Sequence, residues 1–129
     1  MATIRDVMSS AIITVDPGAT VAQAATVMAE KRVGSALVME GDSLAGIFTE
    51  RDIVRALSQD FDAPGHPITH WMTRDPITVG PDATVEDALA TMLEGGFRHL
   101  PVIDGDTVLG VVSMRDLSRA TAETGTEPG

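Results

Sequence analysis

Two stretches decide how this sequence is read: Gly46-Ile47-Phe48-Thr49-Glu50-Arg51-Asp52 and Gly110-Val111-Val112-Ser113-Met114-Arg115-Asp116. Each reads as the end of an apolar strand turning into the start of a helix. Each puts a hydroxyl at the turn and an aspartate three residues later. A hydroxyl at a helix start sits among backbone N–H groups that lack helical partners, at the positive end of the helix dipole, where a phosphate can be held. An aspartate one turn on can accept hydrogen bonds from a sugar diol. The same spacing is also a helix-capping pattern, and Thr20-Val21-Ala22-Gln23 and Thr84-Val85-Glu86-Asp87 are further instances. What raises the functional reading is the repeat in which both stretches lie.

A shift of 64 positions aligns residues 7–56 with 71–120 without a gap. Met8 meets Met72, Ile13-Thr14-Val15 meets Ile77-Thr78-Val79, and Ala19-Thr20-Val21 meets Ala83-Thr84-Val85. Gly41-Asp42 meets Gly105-Asp106, and Arg51-Asp52 meets Arg115-Asp116. Two copies predict a pseudo-twofold pair sharing one core, because about fifty residues bury too little surface alone.

Each copy has the same coarse plan. A lead-in (Thr3–Met8 or Pro67–Met72) forms one helical turn. Ile12–Val15 is a short strand. Thr20 caps a helix with Val21, Ala24, Ala25 and Met28 inward, by helical spacing. Ala36–Met39 and Leu44–Phe48 form a hairpin around Gly41-Asp42. Arg51–Leu57 is a second helix with Ile53, Val54 and Leu57 inward. The second copy gives Ile77–Val79, Val85–Leu93, Leu100–Ile103, Val108–Val112 and Arg115–Ala120. The expected division is a first repeat over 1–60, a Pro/Gly-rich linker over 61–70, a second repeat over 71–120 and a disordered tail over 121–129.

The 129 residues are 43% hydrophobic, enough for a real core, and carry a formal charge of −10. That charge argues against nucleic acid as a partner, which needs a basic face to displace counterions. No apolar run is long enough to span a bilayer. The N-terminus lacks the basic and apolar blocks of a signal peptide. There is no cysteine, hence neither disulfide nor thiolate chemistry. These features point to a cytoplasmic protein that does not engage membranes. Among few basic residues, Arg51, Arg98 and Arg115 cluster near the motifs in sequence.

A strand–helix–strand–strand–helix unit that occurs twice and ends in Gly-apolar-apolar-Ser/Thr-x-x-Asp resembles the cystathionine-β-synthase (CBS) domain. Val7-Met8, Ile13-Thr14-Val15, Thr20-Val21 and Arg98-His99-Leu100-Pro101-Val102 carry the resemblance together with the two motifs. It implies an α/β (α+β) fold of two tandem β-α-β-β-α repeats in one pseudo-twofold module, similar to the small stress-associated CBS proteins of bacteria. It further implies a non-catalytic regulator that binds an adenine nucleotide (AMP, ADP or ATP) in clefts between the repeats, as an energy sensor. S-adenosylmethionine or NAD are the alternative adenosyl ligands, and a ligand-free scaffold is the alternative role. A homodimer and an unknown regulated protein are the implied partners.

The resemblance gives two candidate sites. In one, Asp116 takes the ribose hydroxyls, Ser113 and Arg115 face the phosphate, Arg98 and His99 add charge, and Ala11, Ile13, Val33 and Val111 line the base. In the other, Asp52, Thr49 and Arg51 take the polar parts, with Ile77, Phe97 and Ile47 at the base. The first copy has Gly34-Ser35 where the second has Arg98-His99, so the two sites are not equivalent. His66 and His70 have the i, i+4 spacing of a metal pair, but Pro67 lies between them and no third ligand is evident, so no metal is expected. His99 is read either as a core histidine or as a phosphate contact. Met28 and Met92 are read as core or interface filler, suited to a helix–helix contact in the dimer. Arg55 and Arg119 are read as pairing with nearby acids at the surface. No nucleophile–base pair, metal cluster or phosphate-cradling glycine loop is present, so no catalytic residue and no cofactor is assigned.

Overall fold

The computed structural model describes residues 2–123. In chain order the elements are α1 (Ile4–Val7), β1 (Thr14–Val15), α2 (Val21–Lys31), β2 (Ser35–Glu40), β3 (Ser43–Thr49), α3 (Glu50–Gln59), β4 (Thr73–Arg74), α4 (Val85–Gly95), β5 (His99–Asp104), β6 (Thr107–Ser113) and α5 (Met114–Glu123). Short 3₁₀ turns at Ala63–Gly65 and Ile68–His70 lie between α3 and β4. The chain divides into two compact units. The N unit is Ile12–Pro76. The C unit joins the residues up to Ala11 with those from Ile77 onward.

The N unit carries a four-stranded sheet in the order β1-β2-β3-β4. β2 and β3 form the expected hairpin, with Glu40 opposite Ser43. Gly41 opens its two-residue turn at φ 64°, a backbone region that side-chain-bearing residues avoid. Thr20 starts α2 with a reciprocal capping box: its hydroxyl accepts from Gln23 N at 3.1 Å, and Gln23 Oε1 accepts from Thr20 N at 2.9 Å. Val21, Ala24 and Met28 of α2 then reach the core with Val38, Phe48 and Ile68.

The C unit repeats these devices. β5 and β6 pair with Asp104 opposite Thr107, and the register shifts between Val102 and Ile103 as it does between Val38 and Met39. Val85, Ala88 and Met92 of α4 pack with Ile4, Leu100, Val102, Val112 and Leu117. α2 and α4 both end on a left-handed residue, Arg32 at φ 57° and Gly96 at φ 73°. Glycine takes that conformation freely, whereas a side chain costs roughly 1–2 kcal/mol there.

The compact units do not coincide with the sequence repeats, because the copies exchange their lead-ins. In the C unit, Ile4 N and Arg5 N donate to Ala83 O and Pro81 O, both at 2.9 Å, and Ser9 and Val111 exchange backbone bonds at 2.9 and 3.0 Å. In the N unit, Ile68 N donates to Ala19 O at 2.9 Å, and β4 pairs with β3. Ile4 and Ile68 are fully buried, each in the other copy's core. The stretch expected as a linker over 61–70 is therefore folded, with Ala63 and Ile68 both inaccessible. Among the described residues, each unit has a hydrophobic core of its own. Each lead-in brings the body it joins an isoleucine, a methionine and strand hydrogen bonds, which enlarges a body too small to bury enough surface alone.

The exchange also explains the motif glycines. A Cβ on Gly46 would lie 2.6 Å from Thr73 O, and one on Gly110 would overlap the Ser9 carbonyl. Only glycine lets the incoming lead-in cross there.

Other expectations need correcting. The strand over Ile12–Val15 contracts to Thr14–Val15. Ile77–Val79 is a single parallel bridge from Val79 to Val102. α3 runs to Gln59 and, phased by its Thr49 cap, turns Asp52 and Ala56 inward. Val54 and Leu57, expected inside, are 68% and 53% exposed. α5 continues through Glu123, so residues 121–123 of the expected tail are helical; residues 124–129 lie outside the described residues.

Candidate functional site

Both motif stretches sit where an edge of a hairpin becomes a helix: β3 into α3, and β6 into α5. In the C unit, Ser113 N donates to Asp116 Oδ2 at 2.9 Å, and Asp116 N donates to Ser113 Oγ at 3.1 Å. In the N unit, Asp52 Oδ2 accepts from Thr49 N at 2.9 Å and from Thr49 Oγ1 at 3.2 Å. Asp52 N donates to Thr49 Oγ1 at 3.4 Å. The capping role is thus real in both copies. It engages one carboxylate oxygen of each aspartate and leaves the other to the surroundings.

The surroundings differ. Asp52 Oδ1 faces Arg55 Nη2 at 3.4 Å, and the same Nη2 donates to Trp71 O at 2.7 Å. The Arg55 guanidinium lies 5.8 Å from the Trp71 ring centre, within cation–π range. Trp71 also stacks with His66, with ring centres 6.3 Å apart and planes 7° off parallel. Asp116 is half-buried, and among the described residues no hydrogen bond or ion pair reaches its Oδ1. Thr49 directs its hydroxyl proton into the cap, whereas Ser113 Oγ accepts within its cap.

Hairpin register sets the charge beside each turn. His99 stands opposite Ser113, and Met114 N donates to Arg98 O at 2.8 Å. Ser35 stands opposite Thr49, and Glu50 N donates to Gly34 O at 3.1 Å. The basic pair therefore adjoins the Ser113–Asp116 turn, and Gly34-Ser35 adjoins the other.

The C unit brings together Ser113, Arg115, Asp116, Arg98 and His99. Val111 pairs with Ser9, and Ala11 follows two residues further along that lead-in. Ile13 and Val33 belong to the N unit. The N unit brings together Thr49, Arg51, Asp52 and Ile47, although Ile47 is only 5% exposed and offers a base little surface. Ile77 and Phe97 belong to the C unit, where Ile77 is half-exposed and Phe97 packs on the core. The sequence reading paired Arg55 with nearby acids, as the Asp52 contact bears out, but did not give it a place at the motif, and it missed Trp71. Their signal was available: Arg55 is one turn after Asp52, and Trp71 stands where the other copy has Val7.

Burial raises the Asp52 carboxyl above the ordinary aspartate value, against the opposing pull of the Thr49 hydrogen bonds and the charges of Arg55 and Arg51. A raised folded value means the native state holds the proton more tightly than the unfolded chain. Its contribution to stability is present below the ordinary value of 3.8 and is lost as pH rises through the folded value. Asp52→Asn is expected to flatten the fall in stability across that window, measured by urea unfolding at a series of pH values. An unchanged slope would contradict it.

His66 and His70 lie in edge contact, with ring centres 5.5 Å apart, and His66 Nε2 is 3.6 Å from Asp60. Among the described residues, no group of three or more His, Asp or Glu side chains could hold a metal ion, and no helix is long and apolar enough to cross a membrane.

The family model of the CBS domain matches residues 4–59 and 68–123. The chain belongs to the CBS-domain family and carries a tandem pair. An uncharacterised 17.7 kDa protein of Acidianus ambivalens is 42% identical over 120 residues, covering 91% of this chain and 71% of the relative. The CBS domain pair of protein MJ0100, in complex with 5′-methylthioadenosine and S-adenosyl-L-methionine, superposes with a TM-score of 0.88 at 26% identity, over 95% of this chain and 98% of that one. CBSX2 in complex with AMP superposes with a TM-score of 0.81 at 26% identity, over the same shares of each chain. A regulatory, ligand-sensing module is the class that this fold and these neighbours support.

Proposed function

We propose that this chain senses an adenine nucleotide, binding its ribose at Asp116 and its phosphate near Ser113, Arg98 and Arg115. The observation that carries this is the Asp116 carboxylate, which caps α5 through Oδ2 and keeps Oδ1 without a partner among the described residues, beside a basic pair. The adenosyl ligands of MJ0100 and CBSX2 support the ligand class. The chain regulates a separate protein, and the ligand acts through differential affinity for two states of the module. Extracting purified protein and identifying retained small molecules by mass spectrometry tests the reading. An adenine nucleotide is expected; another compound class retained in stoichiometric amount would overturn it.

A ligand-free scaffold is favoured by one observation: Asp52 has both carboxylate oxygens engaged internally. That applies to one of the two motifs.

The proposed assembly is a cytoplasmic homodimer. Met28 and Met92 cannot carry the contact expected of them, being 2% and 0% exposed. Val54, Leu57 and the 97%-exposed Phe61 offer apolar surface instead. Sedimentation at micromolar concentration is expected to give a dimer, and the double variant Leu57→Glu, Phe61→Glu a monomer. A monomeric parent protein would refute the assembly.

A further inference from the structure

We infer that Arg55, held by Trp71, occupies the Asp52 carboxylate and closes the N-unit motif to ribose, so that each chain takes one adenosyl ligand, at the Ser113–Asp116 turn. This rests on the adenosyl-binding reading above and adds the residue pair that makes the duplicated motif bind once.

A ribose diol needs free acceptor positions on the aspartate. Asp52 offers few: Oδ2 takes two hydrogen bonds from Thr49, and Oδ1 faces the Arg55 guanidinium. The 3.4 Å separation to Asp52 is long, but Arg55 does not depend on it for position. The 2.7 Å bond to the Trp71 carbonyl and the seat over the indole anchor the guanidinium. The Asp52 side chain is 11% exposed, against 50% for that of Arg55, so the carboxylate has little surface of its own left for a diol.

The duplication supplies the control. Arg119 is the repeat equivalent of Arg55, and Val7 is the equivalent of Trp71. Val7 packs against the C-unit core but has no ring on which a guanidinium can sit. Arg119 is exposed, and among the described residues no ion pair joins it to Asp116. Because the lead-ins are exchanged, the tryptophan borne by the second copy closes the motif of the first. Arg55 is thus a positioning residue that sets stoichiometry, with Trp71 as its support.

Equilibrium dialysis of the full chain with labelled AMP, and separately with labelled S-adenosylmethionine, tests this. The parent protein is expected to bind one equivalent per chain. Arg55→Met, which keeps the aliphatic stem, is expected to bind two, and Arg55→Lys one. Adding Asp52→Asn to Arg55→Met should remove the second equivalent and leave the first. Trp71→Val, copying the other repeat, provides an independent route to two equivalents should Arg55→Met fail to fold, as judged by circular dichroism. Two equivalents on the parent protein would overturn the closure while leaving the adenosyl-binding reading intact, as would one equivalent on folded Arg55→Met or Trp71→Val. No binding of either probe to the folded parent protein would overturn the adenosyl-binding reading and the closure with it.

Discussion

Asp116→Ala is expected to weaken AMP binding about ten- to hundredfold. The loss corresponds to charge-assisted hydrogen bonds from ribose worth about 1.5–3 kcal/mol. Asp116 also caps α5 through the Ser113 amide, so alanine removes a cap worth about 0.5–2 kcal/mol as well. Asp116→Asn separates the two effects: an amide oxygen can still accept from Ser113 N, whereas the charge that strengthens the ribose bonds is gone. Unfolding midpoints measured beside affinities should show Asn close to the parent in stability and close to Ala in binding. Asp52→Ala is expected to leave the affinity unchanged, because Asp52 is buried and faces Arg55. If Asp52→Ala abolishes binding while Asp116→Ala leaves it intact in folded protein, the two motifs have been assigned the wrong way round.

Phe48→Ala is expected to destabilise the chain by about 3–5 kcal/mol. Phe48 is fully buried in the N-unit core, among Met28, Val38 and Ile68. It is larger than its repeat equivalent Val112, also fully buried, so the two cores reach similar closure with different volumes. Removing the ring leaves a cavity that a strand pinned on both sides, by β2 and β4, cannot collapse to fill. A loss of this size is a large share of the ~5–15 kcal/mol that a domain typically has. Urea unfolding should show a midpoint lower by more than about 1 M at unchanged slope. A shift below about 0.3 M would mean that Phe48 is not a principal core residue.

Much of this fold was legible because the sequence states it twice. Helical spacing identified Val21, Ala24 and Met28, and Val85, Ala88 and Met92 stand at the same places 64 residues on. Gly41-Asp42 marked the hairpin because one backbone conformation demands its first residue. The lead-in exchange was not legible. A repeat records which residues are equivalent, not which copy they pack against, and Ile4 or Ile68 would read the same in either core. Val54 and Leu57 misled for a related reason: apolar identity was taken for inward orientation, although the phase of α3 is set by its Thr49 cap. At the motifs, the spacing revealed the hydroxyl and the aspartate but not how the carboxylate oxygens are shared. That depends on Arg55 and on Trp71, sixteen residues apart in the chain. The asymmetry between Arg98-His99 and Gly34-Ser35 was visible in sequence, and hairpin register places each pair beside its motif turn.

The most direct test of the central claim is calorimetric titration of the full chain with AMP, ADP, ATP, NAD and S-adenosylmethionine. Saturable binding of at least one adenine nucleotide is predicted, weakened about ten- to hundredfold in Asp116→Asn. Absence of heat and of thermal stabilisation with all five, in protein shown to be folded, would contradict it.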